Sequence, residues 1–575
     1  MSTALEAASL IMIPTSYSDG LLASVKPNDG AGDFTFSRGS NLSATRVNAD
    51  GNIEKGYENL LLHSNDFSQS VWSKYVTSVT SGQTGYDGSS DAWLLDKNAP
   101  DGRITQDVNF SGVTTFSIYA KANTNSWIRL LFNPSSVFVY FDLANGVVGS
   151  SYGTSLIDTK IESVGNGWYR CLVVLSGSFS SCRVYSAEAN TTSATTGSIY
   201  IQDAMLNQGL VAYPYVQTTT ASVASGILED MPRIDFSGGN QSLLLEPSRT
   251  NLASHSEYLE AMVPDNCNIT SNSILSTEGV LNASKFEGLG NALYIRARQV
   301  VSLPAAGNYC FSIYVKAGTS TNMTIVVANY TATNTSADFV LTGDGSTTSN
   351  DATIEPVGNG WYRCCVYPIM DGIDLNGNFY VYVANETGGL FYPSASDTLG
   401  KSLYFYGMQV EQGSYPTSYI PTYGVSQTRL QDDAYITSAS SIINSEEGVL
   451  FCEVEALNEV LESFFEFKIS NGLNQVRIQL PPNSNIQGAV FDGGYQALIN
   501  HSATRKQNNK IAFKYKVNDF ALFINGVKVG SDTSGTTFSA NFLNRIDIGN
   551  EAKVKQALLF PTVLSDDECI TLTTI

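Results

Sequence analysis

The sequence predicts an all-β chain built from tandem antiparallel β-sandwiches. Three observations carry that prediction. The first is repetition on the scale of whole domains. Ile161-Glu-Ser-Val-Gly-Asn-Gly-Trp-Tyr-Arg-Cys171 returns as Ile354-Glu-Pro-Val-Gly-Asn-Gly-Trp-Tyr-Arg-Cys364, and three further blocks return in the same order. The second is alternation of apolar and polar residues with period two and almost no helical periodicity. The third is composition: 48 Gly, 11% aromatic and only 15% charged residues leave surface polarity to Ser, Thr, Asn, Gln and Gly, which suits short strands joined by many turns. At about 100–200 residues per domain, 575 residues make about three or four domains.

Taken in chain order, residues 1–56 read as an anchor and brace. Ser9–Pro27 stands outside the repeats, and Asp33–Arg38 opens a strand-and-loop preface that ends at Glu58. The first repeat spans 57–222. Its Asn59–Ser64 block recurs as Asn251–Ser256, and Phe116-Ser-Ile-Tyr-Ala-Lys121 recurs as Phe311-Ser-Ile-Tyr-Val-Lys316. Phe116, Ile118 and Ala120 alternate with Ser117, Tyr119 and Lys121, the pattern of a strand with one face on a core. Val-Gly-Asn-Gly supplies the positive φ angles of a tight turn feeding Trp168–Val174 and Trp361–Tyr367. Residues 223–250 read as a second brace, beginning near Pro232–Ser237 and locked by Pro247. The second repeat spans 251–430. In its closing block the alternation of Leu403 and Phe405 changes phase after Gly407, which predicts a bulge.

Residues 431–575 lack the repeat. Gly448–Glu455, Lys510–Lys516 and Arg545–Gly549 read as strands, and Phe520–Val529 reads as a hairpin turning at Asn525-Gly526. Ser565-Asp-Asp-Glu568 is a capping box, so one short helix closes the chain.

Several classes are excluded. The formal charge is −21 with no basic block, which argues against nucleic acid and anionic membrane surfaces. No apolar run reaches about 18 residues, so no membrane insertion is expected. Met1 to Ile13 lacks the basic region and apolar core of a secretory signal. The eight Cys form no CxxC and only three His exist, so a zinc site is not expected. The thiols are expected to be buried and reduced, with a Cys171–Cys182 bridge as the alternative. No nucleophile elbow, Walker-A or His-Glu-x-x-His pattern occurs. His63 and His255 hold equivalent repeat positions and read as structural, and His501 reads as a loop residue. Glu453 and Glu455 share a strand face, and Asn458 breaks the acidic pattern a glucanase would need. No catalytic residue and no cofactor-binding residue is assigned, and the chain is expected not to be an enzyme.

The repeated unit resembles the jelly-roll carbohydrate-binding modules of bacteriophage tail and fibre proteins. The likeness is carried by Asn59-Leu-Leu-Leu-His-Ser-Asn-Asp-Phe67 followed by Trp72, by Phe-Ser-Ile-Tyr-x-Lys, by Gly-Asn-Gly-Trp-Tyr-Arg and by the closing Gln-x-x-Gly strand. Phe34–Gly51 and Pro232–Leu252 resemble linkers of phage structural proteins. Residues 431–575 are similar to concanavalin-A-like, laminin-G-type sandwiches, on Ile524-Asn-Gly526 and Leu559–Glu568. The resemblance implies two jelly-roll repeats plus one lectin-like sandwich. It also implies a structural calcium with Asp203 as its carboxylate, although the counterpart of Asp203 in the second repeat is Gly407.

Sugars stack their C–H faces on aromatic rings. Trp168 and Trp361 repeat and read as core. Trp72, Trp93 and Trp127 have no Trp counterparts and are the ligand-binding candidates, with Tyr495 beside Gly493-Gly494 in the last domain. Tyr213-Pro-Tyr215 and Tyr415–Tyr423 read as interdomain packing. The resemblance implies a virion protein assembled in the host cytoplasm: a homotrimeric tail fibre or receptor-binding adhesin. Its partners would be host-surface carbohydrate and other phage structural proteins. A capsid head fibre or decoration protein and a polysaccharide depolymerase are the alternatives.

Overall fold

The computed structural model describes the chain except residues 1, 41, 135, 192–194, 460–463, 484 and 575, with the backbone alone for 2–4. Among the described residues, helix is confined to Ser2–Ala7, Asp566–Thr573 and three short 3-10 turns. The rest is antiparallel sheet and loop, as the period-two patterning predicts.

The first repeat hangs on two twenty-residue strands, Arg103–Ala122 and Trp168–Ala187, paired along their whole length. Their register slips between Asp107 and Phe110, and each strand passes there from one layer of the sandwich to the other. The first layer joins Trp72–Tyr75, the start of Arg103–Ala122, the end of Trp168–Ala187, Trp127–Asn133, Val137–Asp142 and Val147–Tyr152. The second joins Thr77–Gln83, Ala92–Lys97, Gly197–Gln208, the remaining halves of the two long strands, and Leu156–Gly165. Alternate residues such as Ile128, Leu130 and Phe132, with Phe116, Ile118 and Ala120, fill the space between.

The second repeat has the same layers with the long strands broken. Val263–Asp265, Arg296–Ser302, Asn376–Val383, Asn322–Ala328, Thr335–Val340 and Ser346–Thr347 make one sheet. Cys267–Leu275, Leu281–Gly288, Ser402–Gln412, Gly307–Ala317, Trp361–Val366 and Ala352–Gly358 make the other. Pairings match between copies. Phe116 lies opposite Val173 and Leu206, and Phe311 opposite Val366 and Val410; Trp168 and Trp361 lie opposite Lys121 and Lys316. Gly407 sits at φ +62° in a bulge, and Asp203 occupies the same bulge at φ +50°.

The third sandwich recruits chain from far upstream. One sheet runs from Arg233–Asp235 and Ser242–Leu245 through Ala552–Phe560, Glu447–Ala456, Asn509–Lys516 and Phe520–Ile524 to Val527–Asp532, and Leu10–Met12 also pairs with Ala552–Phe560. The other begins with Tyr17–Ser18, Leu21–Leu22 and Phe34–Ser37 before Asp433–Ile436 and the later strands. Placing Ser9–Pro27 outside the sandwiches is therefore corrected. Leu10, Met12 and Leu22 are fully buried apolar residues, and they complete the core of the third sandwich. His501 is corrected too: it lies in the strand Tyr495–Ser502, not in a loop. The capping box at Ser565 and the Asn525-Gly526 turn are present as read. All eight cysteines are free and buried, without a Cys171–Cys182 bridge.

Buried ion pairs seam the units together. Arg233 binds Glu246 at 2.6 Å and also Asp432; Arg38 meets Asp432 at 3.0 Å, and Arg429 meets Glu246 at 3.0 Å. Lys55, from the N-terminal brace, lies between Glu257 at 2.5 Å and Glu278 at 2.7 Å of the second repeat, under the rings of Tyr213 and Tyr423. Each charge is fully desolvated, so it is tolerable only with its partner in place. Tyr213, Tyr419 and Tyr423 pack at the Lys55 seam, whereas Tyr215 turns back into the first repeat, its hydroxyl 2.7 Å from that of Ser64.

Candidate functional site: an arginine and aromatic face

The outward side of the first layer of the first repeat carries rings and guanidinium groups in register. Strand pairing aligns Tyr75, Arg103, Tyr185, Arg129 and Tyr140 in one row across five strands. Each of these strands keeps its other parity for the core: Ile104, Val184, Ile128 and Val139 point inward, which forces their neighbours outward. A second row places Arg183, Leu131, Phe138 and Tyr152 beside the first. The Arg129 guanidinium lies 5.0 Å from the Phe138 ring centroid, 5.5 Å from that of Tyr140 and 5.0 Å from that of Tyr185. Arg103 sits 4.3 Å from Tyr75 and 5.7 Å from Tyr185. Such cation–π contacts are worth about 0.5–2 kcal/mol each and hold a cation in a fixed place. Tyr75 and Tyr152 remain 53% and 65% exposed, so each offers an open ring face.

The ligand candidates read from sequence are scattered. Trp127 belongs to this face: it shares parity with Arg129, two residues away, and is half-buried against Gly149. Trp72 does not. Its ring is fully buried, meets Phe67 edge-on at 5.1 Å, and donates its Nε1 hydrogen bond to the His63 carbonyl at 3.0 Å. A ring with no free surface cannot stack on a sugar, so Trp72 is a core residue. Trp93 is half-buried at the core edge, against Phe67 at 6.2 Å, and donates to the Asn65 carbonyl at 2.9 Å. Tyr495 is half-exposed in the third sandwich, where Arg477 donates to its hydroxyl at 3.1 Å. It lies on a separate domain and does not join the others.

Asp203 does not gather a metal cage. Tyr86 donates to its carboxylate at 3.0 Å, and the backbone N–H of Asp203 donates to Asn65 at 3.1 Å. Burial, with Asp91 and Asp87 nearby, pushes its carboxyl up to about 7 against the hydrogen bonds from Tyr86 and Tyr215. Among the described residues no three His, Cys, Asp or Glu side chains cluster as a metal site. Glu453 is engaged by Asn508 at 2.8 Å and Gln556 at 2.7 Å.

Sequence reasoning missed Arg129, Arg103, Tyr185, Tyr140 and Phe138. The signal was present within strands, in Trp127-x-Arg129, Phe138-x-Tyr140 and Arg183-x-Tyr185, each with apolar residues at the intervening parity. What sequence lacks is the order in which those strands pair.

No family model matches the chain, and no curated protein matches it in sequence. Among solved structures, the CBM40 of a Ruminococcus gnavus IT-sialidase is similar over 24% of this chain and 86% of its own, at 15% identity and a TM-score of 0.21. A galectin of Caenorhabditis elegans matches 20% of this chain and 83% of its own, at 13% identity and a TM-score of 0.17. A Trypanosoma rangeli sialidase matches 93% of this chain and 97% of its own, at 9% identity and a TM-score of 0.21. The expectation that the chain is not an enzyme is overturned by these chain-wide sialidase matches and is withdrawn. At these scores the likenesses assign no active site and no ligand to this chain.

Proposed function

We propose that this chain is a glycan-recognising structural protein of a bacteriophage particle, a tail fibre or receptor-binding adhesin that holds host-surface carbohydrate. The observation that carries the reading is the outward face of the first repeat, where rings and fixed guanidinium groups stand in register and two tyrosines are open to solvent. Rings stack on the C–H faces of sugars, and guanidinium groups donate to their oxygens. Weak single-site binding gains strength when copies are linked, which favours a homotrimer. The virion assignment rests on the repeated motifs and their linkers. A capsid head fibre with the same modules is the alternative.

The test is incubation of the purified full-length chain with capsule and lipopolysaccharide from a panel of host strains, with immunogold labelling of intact particles. The reading expects retention on at least one glycan and label on the tail. Label on the head supports the alternative. Absence of retention on every glycan contradicts the reading. Chromatography of the recovered glycan reads, in the same experiment, whether bonds are cut.

A further inference from the structure

We propose that Arg129 makes the first repeat a reader of carboxylate-bearing sugars, of the uronic-acid class. The inference deepens the glycan reading above and rests on it. Among the described residues the Arg129 guanidinium makes no hydrogen bond and no ion pair; its contacts are the three rings around it. Its Nε is enclosed and has no acceptor, whereas the Nη atoms are not enclosed. Arg103, Arg170 and Arg363 also lack a carboxylate, but each donates to carbonyl or hydroxyl oxygens, which Arg129 does not. Arg38, Arg233 and Arg429 are all engaged by Asp432 or Glu246 at the seams.

The second repeat supplies an internal comparison. Arg298 and Tyr380 pair there as Arg103 and Tyr185 do in the first, but the position in register with Arg129 is Val326. The neighbouring Arg296 lies among Tyr294, Tyr380 and Tyr382, and its fork is filled from within: Asp265 accepts from its Nε at 3.0 Å and its Nη2 at 2.7 Å. One copy therefore satisfies its ring-held arginine with its own carboxylate, and the other leaves the equivalent chemistry open. A planar fork fixed by rings is matched to a carboxylate, because two parallel charge-assisted hydrogen bonds form with little side-chain ordering left to do. Tyr75 on the same row and Tyr152 on the adjacent row, where it stacks on Phe138 at 5.8 Å, give the pyranose rings of such a polymer places to lie.

The test uses the full-length chain with hyaluronate and polygalacturonate oligosaccharides, and with the same oligosaccharides after reduction of the carboxyl to the alcohol. Neutral glycans from the host panel run alongside. Binding of at least one acidic probe should weaken about tenfold or more on carboxyl reduction and on Arg129→Met, with Arg129→Lys intermediate and Arg296→Met unchanged. Arg129→Lys keeps the test readable if the Met variant does not fold. Equal binding of reduced and native probes, or full binding by Arg129→Met, overturns the inference. Retention of neutral glycans alone overturns it and leaves the glycan reading standing; retention of nothing overturns both. A change of oligomeric state in Arg129→Met, read by light scattering, also overturns it, since the face would then be a contact between copies.

Discussion

Asp203 holds a buried carboxyl at a left-handed backbone position, where its repeat partner is Gly407. Its folded value of about 7 lies above the ordinary 3.8, so the folded chain keeps a proton that the unfolded chain releases. The resulting stabilisation is full below about pH 4 and is lost as pH rises toward 7, at up to about 1.4 kcal/mol per pH unit. Asp203→Asn keeps a side chain that tolerates positive φ and removes the titration. Urea unfolding should then depend less on pH between 4 and 7 than in the parent, and at pH 8 the variant should be more stable than the parent. Parallel pH profiles for the two proteins would refute the assignment. The same position shows the limit of reading residues from sequence. The repeat offset locates Asp203 and its bulge, but the phenols of Tyr86 and Tyr215 that occupy it come from loops no pattern connects. Likewise, lacking a counterpart marked Trp72, Trp93 and Trp127 equally, because uniqueness says nothing about which side of a strand faces the core.

Trp168 and Trp361 are both fully buried, as repetition within the same block led one to expect, yet neither lies in the main core between layers. Each sits on the outer side of its sheet beneath a cover. Trp168 packs under Tyr86, which stacks on Tyr119 at 3.9 Å; Trp361 packs with Tyr314, Tyr406 and Tyr419 against Ile53 of the N-terminal brace. Truncation to Ala should cost about 3–5 kcal/mol at either site. The consequences should differ. Trp168→Ala should speed amide exchange within the first repeat alone, whereas Trp361→Ala should also loosen the brace, read as faster amide exchange at Ile53–Lys55. Unchanged exchange there would contradict the packing described. Strands, turns and the closing helix were legible because alternation, Asn-Gly pairs and a capping box are local. The recruitment of Leu10–Met12 and Arg233–Leu245 into the third sandwich was not, because it depends on pairing with Ala552–Phe560 from the far end of the chain.

Three sandwiches seamed by buried charges should behave as one cooperative body. Arg233→Met leaves Asp432 and Glu246 without a partner that each now has, and should destabilise the chain by about 3–5 kcal/mol. Calorimetry should show one transition in the parent resolving into separate ones in the variant, and a single unshifted transition would show that the seams do not couple the units. The proposed recognition site is the outward face of the first repeat. The most direct test is the affinity of full-length protein for host polysaccharide, compared with a Tyr75→Ser, Tyr152→Ser double variant. Both rings are more than half exposed, so the fold should not change. Loss of about 1–3 kcal/mol of binding, at least several-fold in affinity, with the fold retained by circular dichroism is the expected result; equal affinity of the two proteins would contradict the account.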